Sequence, residues 1–311
     1  MLPYIISEDL EILMRRWGER TSIPIPDHHF FESLQTELIL GMSEFFPDAK
    51  ITYIDYASLS EQMAKRISAI ADTSIVVSID HVYNGATFHL ESNRIADRDT
   101  MKVLGEAERP GFPSITDQIL ALPNGKSITL VDDGCFSGAT LKQIVKKFYS
   151  CGKKVGRVIV GISINPKANV FVEAFPEIPL EAVYAYDQVK DWVCERDFYL
   201  GVPLSGRTAG IQEDGVIRCI LPEVALAYCY PFGDPIEGAS VPVKFAGIFS
   251  GQMIRQSLRL WSEIGRIRGK PITCSEVPRL PRGIIPGNQA FVDAVLSQTS
   301  CQAKAEECSL R

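Results

Sequence analysis

Two adjacent carboxylates at the end of an apolar run, followed at once by Ser, Gly, Ala and Thr, stand in residues 130–141, LVDDGCFSGATL. An apolar strand would deliver Asp132 and Asp133 to the edge of a sheet, and Ser137-Gly138-Ala139-Thr140 would turn into the next helix. The first N–H groups of a helix lack intrahelical acceptors and sit at the positive end of its dipole, so that turn suits a phosphate monoester. Gly138 allows close approach of the backbone. Two carboxylates just upstream can accept hydrogen bonds from vicinal hydroxyls. Together these groups fit a phosphorylated sugar.

Other chemistries need different spacings. A phosphatase of the haloacid-dehalogenase type needs Asp-x-Asp, whereas these acids are adjacent. A Walker-type loop needs Lys after its glycines, and Leu141 follows Thr140. Cys135 lies inside the motif without a basic neighbour in sequence to favour a thiolate. A solvated acidic strand end before an ordinary N-cap is the reading without chemistry.

The surrounding pattern supplies a frame. Residues 1–50 read as helical, with Ser7 as a cap and HHFFESLQTELILGMSEFF at helical spacing. ITYIDY reads as a strand, Ser58-x-x-Glu61 as a capping box opening a helix, and SIVVSI (74–79) as a buried strand. TFHLES (87–92) follows as a strand, then a charged stretch, a short helix after Ser114, SITLVDD as a strand, a helix closed by Gly152, and VGRVIVGISI (155–164) as a strand. This alternation predicts a doubly wound α/β sheet, whose ligands sit outside the carboxyl ends of its strands. Beyond about Asp187, Gly and Pro become frequent around one long helical segment, VKFAGIFSGQMIRQSLRLWSEIGRIRG.

With 311 residues, 46% of them apolar, and a net charge of −6, the chain can bury a large core, and nucleic acid is not an expected partner. No apolar run approaches the roughly 20 residues of a membrane helix. The N-terminus lacks a basic stretch before its apolar residues, so the cytoplasm is the expected compartment. Eight cysteines at 135, 151, 194, 219, 229, 274, 301 and 308 show no framework spacing and read as free thiols.

VDDGCFSGATL resembles the phosphoribosyl-pyrophosphate motif of type I phosphoribosyltransferases: an apolar strand ending in two acids, three residues, then Ser/Thr-Gly-x-Thr. Phe136 departs from it, standing where the family usually has a small hydroxyl residue. The resemblance implies an α/β fold with a phosphoribosyltransferase-like parallel sheet over 51–190, flanked by helices, with an N-terminal helical extension (1–50) and a C-terminal α+β extension (191–311) serving as hood or partner region. It implies phosphoribosyl pyrophosphate as ligand, Mg2+ bridging its diphosphate and ribose hydroxyls, and transfer to a nucleobase-like or small amine acceptor. A non-catalytic regulatory protein binding this metabolite or a nucleotide is the alternative.

By the same resemblance, Asp132 and Asp133 are catalytic, and Ser137, Gly138, Ala139 and Thr140 hold the 5-phosphate. The loop DHVYNGA (80–86), with His81, stands where the family binds pyrophosphate. Arg94, and Lys102 and Arg109 of the mobile-loop candidate 96–114, would add positive charge. Asp197, Phe198 and Arg207 are acceptor-site candidates, no metal ligand is assigned to the protein, and a homodimer is admitted. His28-His29 and the pair His89 and Glu91 lack a third ligand at metal spacing, and Arg255, Arg259 and Arg266 near Trp261 read as a solvated helix side.

Overall fold

The computed structural model describes residues 1–71, 73–83 and 85–309, with side chains as far as Ser300. Asn84 of the 80–86 loop and the Cys301 and Cys308 thiols therefore lie outside the described residues. In chain order the elements are β1 (Leu2–Ser7), α1 (Leu10–Thr21), α2 (His28–Phe45), β2 (Ala49–Ile54), α3 (Tyr56–Ser68), β3 (Ser74–Ser78), β4 (Phe88–His89), β5 (Ser92–Asp97) and β6 (Val103–Glu108). There follow α4 (Ile115–Leu120), β7 (Ser127–Cys135), α5 (Ala139–Ser150), β8 (Val155–Ile164), α6 (Val170–Ala174), β9 (Leu180–Tyr186) and β10 (Asp191–Cys194). The remainder are β11 (Arg207–Glu213), β12 (Val216–Cys219), β13 (Ala225–Leu226), α7 (Pro235–Ala239), α8 (Ala246–Arg268) and α9 (Phe291–Ser309).

The fold is α/β, with parallel sheets flanked by helices. The central sheet is parallel throughout, in the order β4-β3-β7-β8-β9. Period-2 alternation sends Leu130 to one face, where it packs with Ile144 and Phe148 of α5, and Val131 to the other, where it packs with Leu59 and Met63 of α3. From β3 the chain moves outward to β4 and then crosses back to β7, so the order reverses between β3 and β7. A crevice opens at the carboxyl ends of such a strand pair, where β3 leads into Asp80 and the end of β7 carries Asp132 and Asp133.

Several expectations need correction. Leu2–Ser7 is a strand, not the lead-in to a helix, and α1 begins after Asp9. β1 is the middle strand of a second parallel sheet, β10-β1-β2, because the run Tyr4, Ile5 and Ile6 is buried on both faces as a central strand requires. β2 therefore belongs with β1 and not with β3, and the doubly wound sheet starts one strand later than the alternation suggests. The cap of α3 is Asp55, whose carboxylate accepts from the Ser58 N–H at 2.7 Å, not Ser58 itself. Residues 87–92 yield only the two-residue β4, and 96–114 is not a free loop. Its first part forms the β5–β6 hairpin, joined through β5 to β11 in a third sheet, β12-β11-β5-β6.

The two ends of the chain share one core. Trp17 meets Trp261 edge-on at 5.4 Å, Trp261 meets Phe291 at 5.5 Å, and Phe45 and Phe198 both pack on Phe249. The Trp261 indole donates to Leu200 O at 2.7 Å, satisfying the polar atom of a fully buried ring. On α8, Arg255, Arg259 and Arg266 are exposed, a solvated helix side as expected, with Arg259 paired to Glu37 of α2 and Arg266 to Glu263 of its own helix.

Sheet contact also fixes a glycine in the motif strand. A Cβ on Gly134 would stand 2.2 Å from the Trp192 ring of β10 and 2.8 Å from Ile162 O. Gly134→Ala is expected to lower stability by about 1–3 kcal/mol, the cost of overpacking. Gly247 of α8, with open space around it, should tolerate Ala without loss. Urea unfolding midpoints of the two variants check the contrast.

Candidate functional site

β7 continues through the acid pair to Cys135, with Asp132 opposite Val160 and Gly134 opposite Ile162 of β8. The acids thus lie within the strand, and its pleat gives them different neighbours. Asp132 is 8% exposed and accepts from the Asp133 N–H at 3.0 Å. Asp133 accepts from Arg196 Nη2 at 3.0 Å and from the Cys194 thiol at 3.5 Å, Cys194 ending β10 of the neighbouring sheet and Arg196 lying in the 3-10 turn after it. Burial, reinforced by Asp133 and Asp80, holds the Asp132 carboxyl well above the usual carboxylate range.

Past β7, Gly138 is the N-cap of α5 with φ of 80° and offers no side-chain cap. Its Cβ would meet Asn169 Oδ1 at 2.8 Å and Phe171 Cβ at 2.8 Å. Gly is needed here for the left-handed backbone and for close packing on α6, not for approach to a ligand. Ser137 Oγ accepts from the Ala139 N–H at 3.3 Å, so the Thr140 and Leu141 N–H groups remain as first-turn donors without intrahelical acceptors. The Thr140 hydroxyl donates to buried Glu106 at 2.8 Å and accepts from Arg94 Nη2 at 3.4 Å. Burial raises the Glu106 carboxyl, which the Thr140 hydrogen bond and Arg94 partly offset.

These groups line one cavity of about 550 Å³, within the size range of small-molecule sites. Its floor is the crevice between β3 and β7, with Asp80, His81, Asp132, Asp133 and the 137–141 turn. β5, β6 and β11 roof it with Arg94, Glu106, Arg109, Arg207 and Thr208. A third wall comes from β10 and the C-terminal region, with Asp191, Arg196, Asp197, Tyr228 and Arg279. The structure thus brings together Asp132, Asp133, Ser137, Gly138, Ala139, Thr140, Arg94, Arg109, His81, Asp197 and Arg207.

Two expected residues stay out. Lys102 is exposed in the β5–β6 turn, its carbonyl accepting from the Asp97 N–H at 2.9 Å, and it does not line the cavity. Phe198 is wholly buried in the core against Phe249, the apolar half of a 3-10 turn whose polar half carries Arg196 and Asp197 to the cavity. Phe136, 46% exposed, sits on the cavity wall and not in the core.

Residues that the sequence motif did not mark supply much of the electrostatics. Arg196 bridges Asp9 and Asp133, and the Asp9 carboxylate also accepts from the Arg196 N–H at 2.8 Å. Burial pushes Asp9 up to about 7 against the pull of Arg196. Asp80 folds back on its own loop, accepting from the Val82 and Tyr83 N–H groups at 2.7 and 2.8 Å, and burial followed by Asp133 raises it to about 6. Arg279 is 7% exposed and paired with Glu223. Asp80 opens the DHVYNGA loop that the sequence singles out and ends an apolar strand as Asp132 does, whereas Tyr228 and Arg279 lie in irregular segments with no periodic signal.

The remaining chemistry-bearing side chains are accounted for. Cys135 is buried and its thiol is pushed up to about 12 by burial and then by Asp132, so it is not a thiolate nucleophile. Cys151, Cys194, Cys219, Cys229 and Cys274 are likewise unbridged. His28 contacts Glu11 and Glu32, and His29 contacts Glu32. Among the described residues no three His, Cys, Asp or Glu side chains converge to hold a metal ion. A divalent cation here would draw most of its ligands from the bound molecule, with hard carboxylate oxygens of Asp132 and Asp133 at hand. The raised Asp132 carboxyl is the group that such a cation would relieve.

No protein-family model matches this chain, and no curated protein matches its sequence. Among the described residues no helix is long and apolar enough to cross a membrane.

His81 does not supply positive charge. Burial and then Arg109 lower it from the usual 6.5 to about 3. The native state therefore leaves His81 neutral while the unfolded chain takes up a proton near pH 6.5, so the unfolded state binds more protons between those values. Acidification through that window costs stability on this residue's account. His81→Gln should remove that contribution: its unfolding midpoint relative to the parent is expected to improve between pH 7 and about pH 4.5, by urea titration.

Proposed function

We propose that this protein binds phosphoribosyl pyrophosphate in the cavity and, on a type I phosphoribosyltransferase framework, transfers the phosphoribosyl group to a small acceptor with release of pyrophosphate. The observation that carries this reading is the convergence in one cavity of the Asp132–Asp133 pair, the amino end of α5 without a side-chain cap from Gly138, and Arg94 and Arg109 of the roof. A 5-phosphate is accommodated by the Thr140 and Leu141 N–H groups, with Arg94 beside them. Asp132 and Asp133 are the groups for the ribose hydroxyls. Arg109 and Arg94 offer their guanidinium groups to the diphosphate.

In the reaction the C1–O bond to diphosphate breaks, the acceptor's nitrogen bonds to C1, and the acceptor's proton is taken by a base. Asp133, which Arg196 holds at the cavity wall, is the carboxylate we assign to that proton. Charge spreads over an oxocarbenium-like ribose and a leaving diphosphate, so the chain's work is orientation and fixed electrostatics. Magnesium, when bound, supplies charge neutralisation on the diphosphate oxygens.

One observation favours a second reading, binding without turnover. The loop after β3 stands where the resembled family binds pyrophosphate, yet two of its N–H groups are already taken by Asp80 and its histidine is neutral. A regulatory protein could hold the metabolite without expelling pyrophosphate.

Calorimetric titration of phosphoribosyl pyrophosphate with magnesium is expected to show binding that Asp132→Asn weakens by about tenfold or more, as loss of a buried hydrogen-bonding partner implies. Pyrophosphate release with a purine, pyrimidine or small amine would establish transfer. Binding with no release across the panel selects the regulatory reading, and absence of binding, or binding indifferent to Asp132→Asn, defeats both.

A further inference from the structure

The wall formed by β11 and the C-terminal region carries two donors that the phosphoribosyl grip leaves unused. Arg207, at the start of β11, spends Nη1 on Met101 O at 3.1 Å and Nη2 on Glu237 O at 3.1 Å, while its Nε is buried with no partner. Both acceptors are neutral carbonyls. Among the described residues no carboxylate lies within ion-pair distance of Arg207, whereas Arg94, Arg109, Arg196 and Arg279 of the same cavity each have at least one. Asp191 acts on Arg207 only from beyond ion-pair distance, so this half-buried guanidinium keeps no carboxylate in contact, a state that an anionic ligand group would relieve.

Tyr228 adds an independent observation. Its ring lies under the Arg207 guanidinium, 5.7 Å from centroid to Cζ, and the residue is 7% exposed. It lines the cavity, onto which its hydroxyl opens, and among the described residues that hydroxyl makes no hydrogen bond. A buried phenol normally finds a partner. The nearby acids are engaged elsewhere: Asp191 accepts from Ser240 and from the Trp192 N–H, and Asp197 accepts from the Gly206 N–H at 2.7 Å and faces Arg196 at 3.9 Å.

We infer that Arg207 and Tyr228 form a subsite for a carboxylate, so that the acceptor is a carboxylate-bearing nitrogen compound and not a neutral base. The identification of this anion as the acceptor's rests on the phosphoribosyl-transfer reading; the existence of the anion subsite does not.

Matched pairs separate the possibilities: orotate and uracil, nicotinate and nicotinamide, anthranilate and aniline, each titrated onto the full-length protein with and without phosphoribosyl pyrophosphate and magnesium. At least one carboxylate is expected to bind about tenfold or more tightly than its neutral partner, the advantage of a charge-assisted hydrogen-bonded pair. Tyr228→Phe keeps the ring and removes only the unpartnered hydroxyl, and should weaken the carboxylate several-fold without lowering the melting temperature. Arg207→Gln should abolish the preference while leaving affinity for phosphoribosyl pyrophosphate unchanged. Parity within every pair, no binding of any carboxylate, or a preference insensitive to both substitutions overturns the inference. If phosphoribosyl pyrophosphate fails to bind but the carboxylate preference and its dependence on Arg207 persist, the subsite stands and the transfer reading falls.

Discussion

The guanidinium of Arg196, buried between Asp9 and Asp133, is the contact on which the site's architecture depends. Its partners come from different sheets: Asp9 follows β1, Arg196 follows β10, and Asp133 sits in β7. Removing one member of such a buried set leaves an uncompensated charge, at a cost of about 3–5 kcal/mol. The bridge therefore fixes how the β10-β1-β2 sheet meets the carboxyl end of the central sheet, and with it the width of the crevice. Trp192 seated on Gly134 and the indole's hydrogen bond to Ser7 at 3.2 Å lock the same junction from beside it.

Around that junction the cavity is densely and doubly charged, and its arginines are mostly compensated by acids within the protein. Arg94 faces Glu106, Arg109 faces Glu91, and Arg279 faces Glu223. A site built this way holds its cations in place before a ligand arrives, which is what preorganised electrostatic recognition requires. It also means that polyanions in general gain little from it, in keeping with the acidic balance of the whole chain.

Much of the central sheet was legible in the sequence because its strands are apolar runs separated by helices of clear period: SIVVSI, SITLVDD and VGRVIVGISI all fall in it. The N-terminal strand was missed because a strand buried on both faces, PYII, lacks alternation and abuts a helix. The hairpin at 92–108 was missed because its residues are polar and its partner strand, β11, lies more than a hundred positions later. The 137–140 turn and the acid pair were legible from spacing alone. Arg196 with Asp9, and Tyr228 with Arg207, were not legible as pairs, since they meet only through tertiary contact.

The hairpin that roofs the cavity is not a flap hanging from its two ends. β5 is bonded to β6 on one side and to β11 on the other, with Ile95 against Thr208 and Ala96 against Ala209, and Gly210 leaves room for the Ile95 side chain, whose Cγ2 would stand 2.1 Å from a Cβ there. Admission of a molecule by peeling this segment back would sever an internal ladder. The roof is thus mechanically one leaf, and any widening of the entrance has to come from the whole leaf tilting against the floor.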